Sequence, residues 1–167
     1  TTEFYSQIID SLQDYSIFTI DKEFIINSWS SGSTKIFGYE TDEVIGEPFD
    51  VIFTEDDLKN DVPKKEIETA LKEGRATDNR WHIAKDKSVF YAYGLVFPLI
   101  GLDGEMLGYV KILRDLTERK QSEDAIKKYV RELEDLNTHK ESVMAILSHD
   151  LRSPLSGIIG TAKYLKE

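Results

Sequence analysis

The chain has 167 residues, a formal net charge of −10 and 40% hydrophobic residues, enough for one globular domain with an appendage but not for two full domains. It has no cysteine, which excludes disulfides, thiolate metal sites, a cysteine nucleophile and a cysteinyl–flavin adduct. The acidic balance argues against nucleic-acid binding, and the longest near-apolar run, Val89 to Gly101, is broken by Pro98 and is short of the about 18 residues that a membrane span needs.

Phe4, Ile8 and Leu12 lie four apart and predict an amphipathic N-terminal helix, assigned to residues 1–13 as a region and to 3–13 as an element. Two short strands follow, Ser16 to Ile20 and Phe24 to Trp29, joined as a hairpin by Asp21-Lys22-Glu23. Ser31 and Ser33 are capping types before Ile36-Phe37, and Gly38 stops that turn; Asp42 to Ile45 is a second single turn, stopped by Gly46. Residues 55–73, with Leu58, Ile67 and Leu71 and a closing Gly74, read as one helix. Strands then dominate at about 77–84, 88–99 and 106–116, separated by turns at Asp86-Lys87 and Gly101–Gly104. The order implies an α+β fold: one antiparallel sheet with helices on one face.

The composition changes after Leu116. Residues 1–116 carry 22 acids, 12 bases and 16 of the 18 aromatics, whereas residues 117–167 carry 9 acids, 9 bases and only two aromatics, Tyr129 and Tyr164. A packed, strand-rich domain thus gives way to a long exposed helix. Asp115 and Glu118 have the spacing of a capping box, which would start that helix directly off a strand end.

Three stretches carry a family resemblance over roughly residues 14–120. Trp29 to Tyr39 followed by Glu43-Val44-Ile45-Gly46 is similar to the helical segment of a PAS sensor domain. Arg80 to Ser88 resembles that family's next hairpin, and Arg114-Asp115-Leu116-Thr117-Glu118-Arg119-Lys120 its exit motif. The resemblance implies a PAS fold over 14–116, a five-stranded antiparallel sheet with short helices on one face. It also implies that Asp115 and Thr117 pass a signal from the last strand into the helix. Lys87 departs from the family's usual Gly; a left-handed turn there would cost about 1–2 kcal/mol. PAS domains hold heme, flavin, small metabolites or nothing, and no cofactor is evident in this chain. His82 lies on a predicted strand and reads as a packed or solvent-facing residue. Trp29, Trp81, Phe90, Tyr91, Tyr93 and Phe97 read as core and dimer packing.

From Ile126 the apolar positions Tyr129, Leu133, Leu136, Val143 and Leu147 follow alternating steps of three and four, with Lys140 in one slot and Asp150 closing the series. This is a coiled-coil seam, so residues 117–142 are expected to pair with a second copy in a parallel homodimer. Three four-residue steps then run from Val143 to Leu155, which a 3.5-residue repeat cannot absorb without local unwinding. Pro154 falls in the same stretch and kinks or weakens a helix. His149, two places past the seam residue Leu147, points outward.

Ser148-His149-Asp150-Leu151-Arg152-Ser153-Pro154-Leu155 is similar to the H box of sensor histidine kinases. The resemblance makes residues 143–167 the start of a dimerisation and phosphoacceptor domain. It implies that His149 accepts the γ-phosphoryl of ATP and donates it to a response-regulator aspartate. Asp150 would orient the ring and act as general base. Ser153 stands where the family's phosphatase residue, a Thr or Asn, normally sits; Pro154 would relay the helical signal. His139 has no such context. ATP and Mg2+ belong to the parent kinase. No nucleotide-binding domain is expected in this chain, which starts at Thr1 like a piece of a longer cytoplasmic protein and should be inactive alone. The alternative is a PAS and coiled-coil module serving a different output domain.

Overall fold

The computed structural model describes the backbone of residues 1–164; residues 165–167 and the side chains of Ser153, 155–157 and 159–164 lie outside the described residues. The chain divides into two compact units at Lys120.

The first unit is built on one antiparallel sheet. Its strands are β1 (Tyr15–Ile20), β2 (Ile26–Trp29), β3 (Ala76–Ile83), β4 (Val89–Ile100) and β5 (Met106–Asp115), in the spatial order β2-β1-β5-β4-β3. Alternation along each strand selects the inner face: Ser16, Phe18 and Ile20 from β1, Phe90, Ala92 and Val96 from β4, Tyr109, Lys111 and Leu113 from β5. On this face lie the helices α2 (Ser31–Phe37), α3 (Thr41–Val44), α4 (Glu55–Lys59) and α5 (Val62–Glu73), with a 3-10 turn at Phe49–Ile52. Phe18, Phe37, Phe49, Ile52, Ile67 and Leu113 are fully or almost fully buried between the layers. Each such side chain contributes about 1.5–3 kcal/mol. The helix α1 (Thr2–Ser11) precedes the sheet and buries no residue.

The expected hairpin is present, but its second strand begins at Ile26 rather than Phe24. Asp21 Oδ1 accepts from the Glu23 and Ile25 amides at 2.9 and 3.0 Å, and this turn carries Phe24 at φ 67°. The cap of α2 is Ser30, whose hydroxyl accepts from the Ser33 amide at 3.2 Å; Ser33 is buried behind it, hydrogen-bonded to Ser16 at 2.7 Å. Gly32 allows this docking, since a Cβ there would lie 2.0 Å from the Tyr15 carbonyl oxygen. Residues 55–73 form two helices, not one. In a single continuous helix Pro63 would have no amide for the Lys59 carbonyl and its ring would clash with it, so the chain turns at Asn60-Asp61, with Asp61 at φ 55°, before α5 starts.

The second unit is the helix α6, which begins at Thr117 in the first unit and continues to Tyr164 with Pro154 inside it. Every described side chain from Gln121 onward is exposed.

Candidate functional site

The junction of β5 with α6 is held by a cluster of bonds around Thr117. Its hydroxyl donates to Asp115 Oδ1 at 2.6 Å and accepts from the Tyr91 amide of β4 at 2.9 Å. The Thr117 amide also donates to Asp115 Oδ1, at 2.9 Å, and the Leu116 amide donates to the Tyr91 carbonyl at 2.7 Å. The carbonyl of Leu116 accepts the first helical bond, from the Lys120 amide at 2.8 Å. Leu116 is therefore the N-cap. Asp115 stands one place before it and makes a two-residue Asx turn instead of the expected box with Glu118. Sequence reasoning singled out Asp115 and Thr117; the structure brings both to β4.

The aromatic residues grouped from the sequence separate across the sheet. Trp29 and Phe90 are buried around Phe37, at ring-centroid distances of 5.6 and 5.1 Å. Trp81 lies on the opposite face, 41% exposed, against Tyr91 at 5.3 Å. They do not line one pocket. His82 is fully buried among Phe37, Phe53 and Phe90. Its Nδ1 bonds the Ile52 carbonyl at 2.9 Å, and its Nε2 has no partner among the described residues. Burial and then the Lys111 ammonium push its pKa down to about 4. It stays neutral as a packed strand residue.

A charged cluster escaped the sequence reading. Lys111 is 1% exposed, and its Nζ donates to Glu66 Oε2 at 2.6 Å. Arg80 donates through Nη1 to Asp57 Oδ1 at 2.9 Å and through Nε to Asp78 Oδ2, with Glu66 Oε1 at 3.7 Å. Lys111 also lies over the Phe53 ring at 5.6 Å. The signal was present in the alternation: Lys111 keeps the inward period of Tyr109 and Leu113, and Asp78 and Arg80 that of His82. Burial, against the pull of Lys111, pushes the Glu66 carboxyl up to about 7. Burial opposes ionisation of Asp78 too, but the hydrogen bond with Glu66, Lys111 and Arg80 together hold it below the usual carboxylate range.

On α6, the His149 side chain is 84% exposed and that of Asp150 is 70% exposed, with Nδ1 3.7 Å from Oδ1. That separation exceeds a hydrogen bond, so direct proton exchange between them requires a rotamer adjustment. Pro154 has no amide to make the helical bond to the Asp150 carbonyl, one residue from His149. The Ser153 side chain lies outside the described residues. His139 is exposed. Among the described residues no group of His, Asp and Glu could hold a metal ion, and no helix is long and apolar enough to cross a membrane.

A five-stranded sheet with helices on one face, leaving through a clamped strand end into a helix, defines the PAS class of sensory domain. The family model for the PAS domain matches residues 14–118, and the chain belongs to that family. It is 33% identical to two-component system protein A of Emericella nidulans over 156 residues, 93% of this chain and 22% of that protein. It is 28% identical to the cell-division control histidine kinase PdhS of Brucella anthropi over 166 residues, 96% of this chain and 15% of that protein. The PAS domain of a protein from Colwellia psychrerythraea superposes with a TM-score of 0.65 at 22% identity, over 70% of this chain and 98% of that one. The chain thus spans about a fifth or less of the length of the curated relatives it matches.

Proposed function

We propose that this chain is the sensory and phosphoacceptor portion of a sensor histidine kinase, and that His149 is the residue phosphorylated. The observation that carries the reading is the string Ser148 to Leu155 standing on a helix with the His149 ring open to solvent. An imidazole nitrogen attacks phosphorus in line, so it must be accessible and neutral. Asp150 is near enough to take up hydrogen bonding to the other ring nitrogen once its rotamer turns. That bond would fix the tautomer and receive the proton. The two-component and histidine-kinase relatives align over more than nine-tenths of this chain, so the likeness does not stop at the sensory domain.

In this reading the PAS unit passes its signal through Asp115 and Thr117 into α6. Pro154, which cannot make the helical bond to the Asp150 carbonyl, is the place where the helix changes geometry around His149. Ser153 would orient water for dephosphorylation. The phosphoryl group goes to an aspartate of a response regulator; ATP and Mg2+ are supplied through a nucleotide-binding domain of the parent protein, on the cytoplasmic side where ATP is found. The exposed seam supports a second copy as the partner of α6: Ile126, Tyr129, Leu133 and Leu136 are 62–65% exposed, and Val143 and Leu147 39–50%. Such a stripe is buried when two parallel helices pair along it.

The test uses the full-length protein with γ-labelled ATP. His149→Gln should abolish acid-labile label while leaving the PAS unit folded. Label that persists in the variant would assign the phosphoryl group elsewhere.

A further inference from the structure

The charged cluster between α5 and the sheet has no part in the phosphoacceptor reading and does not depend on it. Its groups come from every element packed there: Asp57 from α4, Glu66 from α5, Asp78, Arg80 and the neutral His82 from β3, and Lys111 from β5. From β4 it meets Gly94, where an added Cβ would lie 2.7 Å from Asp78 Oδ1 and 3.4 Å from Lys111 Nζ.

Three carboxyl groups face two cations. If all three were ionised, one negative charge would be buried without a counter-charge, which a protein interior avoids by protonation. The hydrogen bonds point to where the proton goes. Glu66 Oε1 and Asp78 Oδ1 are both buried and, counted as carboxylates, have no donor among the described residues. The hydrogen bonds from the two cations go to the opposite oxygen of each group: Lys111 donates to Glu66 Oε2 and Arg80 to Asp78 Oδ2, while Arg80 Nε stands 3.7 Å from Glu66 Oε1.

We propose that the Glu66–Asp78 pair is a proton-binding site built into the PAS core, in which one proton shared by the two carboxyls completes the charge balance, and that its release is felt along β5 through Lys111. On release the O–H bond of the Glu66 carboxyl breaks, the proton leaves to water, and Glu66 and Asp78 become adjacent carboxylates. The ammonium of Lys111 then faces two anions instead of one. Lys111 pairs with Phe18 of β1 and Val96 of β4 in the sheet, four residues before the Asp115 end that Thr117 clamps. The raised pKa of Glu66 agrees with this arrangement.

The test is a carboxyl-carbon NMR titration of the whole chain labelled at Glu and Asp, with backbone amides followed in parallel. Glu66 should titrate about two pH units or more above the exposed glutamates. The amides from Lys111 to Thr117 should shift with the same midpoint, and that shift should vanish in Glu66→Gln, which keeps a donor for Asp78 and balances the charges. Asp78→Asn should bring the Glu66 midpoint down, which keeps the proposal testable should the first variant fold poorly. Glu66 titrating together with the exposed glutamates would overturn the site. Amides of β5 that stand still while Glu66 titrates would overturn its transmission.

Discussion

The two units hold themselves together in opposite ways. Residues 1–120 bury a shared core and even a lysine, so the order of that unit is internal. From Gln121 onward every described side chain is exposed. Its apolar positions form an exposed stripe. A long helix with a narrow stripe draws most of its stability from whatever covers that stripe. One unit can therefore be switched by a small change inside it, whereas in the proposed pairing the other is switched by changing what covers its stripe.

The sharpest way to break this contrast is to truncate one side chain in each unit. Phe37 is fully buried beside Trp29 and Phe90, so Phe37→Ala should cost about 3–5 kcal/mol. That is a large share of the about 5–15 kcal/mol a domain has. Leu133 is 65% exposed, and Leu133→Ala should leave the PAS unit within about 0.5 kcal/mol of the parent. Both tryptophans lie in residues 1–120, so denaturation followed by their fluorescence reports that unit. Sedimentation reports pairing, and there the order should reverse: Leu133→Ala favours the monomer and Phe37→Ala does not. Equal effects of the two substitutions on the fluorescence transition would end the distinction.

A second test stays inside the first unit and uses pH. Glu66 has its folded pKa raised to about 7, so its contribution to stability is complete below the ordinary glutamate value and is lost as pH rises through about 7. His82 has its folded pKa lowered to about 4, so its contribution is complete above the ordinary histidine value of 6.5 and is lost as pH falls through about 4. Between about 4.5 and 6.5 the two slopes oppose each other. Glu66→Gln removes one of them. Relative to that variant the parent should gain up to about 3 kcal/mol as the pH falls from about 8 to 4.5. Denaturant melts across that range check it, and parallel curves for the two proteins would show that Glu66 titrates as an ordinary carboxylate.

The same contrast explains what was legible in the sequence. The strands β3, β4 and β5 were readable because alternation reports one buried face, and their ends were placed within about a residue. The long helix α6 was readable because a helix surface displays its period directly. The break at Asn60-Asp61 was missed, although Pro63 announces it, because Leu58, Ile67 and Leu71 suggested a single run. The charged cluster was missed for a physical reason. Lys111, Glu66, Asp78 and Arg80 are scattered over three elements and each reads as solvated. Only the fold brings them together, and burial of a lysine needs partners that no local pattern contains. The Asx turn at Asp115 has the same origin: the residue was right, but its place relative to the N-cap depends on where β4 ends the strand.

The smallest effect tests whether the first unit also tolerates local strain. Lys87 is exposed in the turn between β3 and β4 at φ 69°, with its amide on the Ala84 carbonyl at 3.0 Å. A left-handed conformation costs a residue with a Cβ about 1–2 kcal/mol, and glycine is free of that penalty. Glycine also gains about 0.5–1 kcal/mol of entropy in the unfolded chain, which offsets part of the relief. Lys87→Gly should therefore stabilise the PAS unit by about 0.5–1 kcal/mol. Lys87→Ala keeps the Cβ and should leave the melting transition where it is. If alanine stabilised as much as glycine, the gain would come from removing the lysine side chain and not from the backbone. The core of residues 1–120 would then no longer be what holds that turn in a conformation its own residue disfavours.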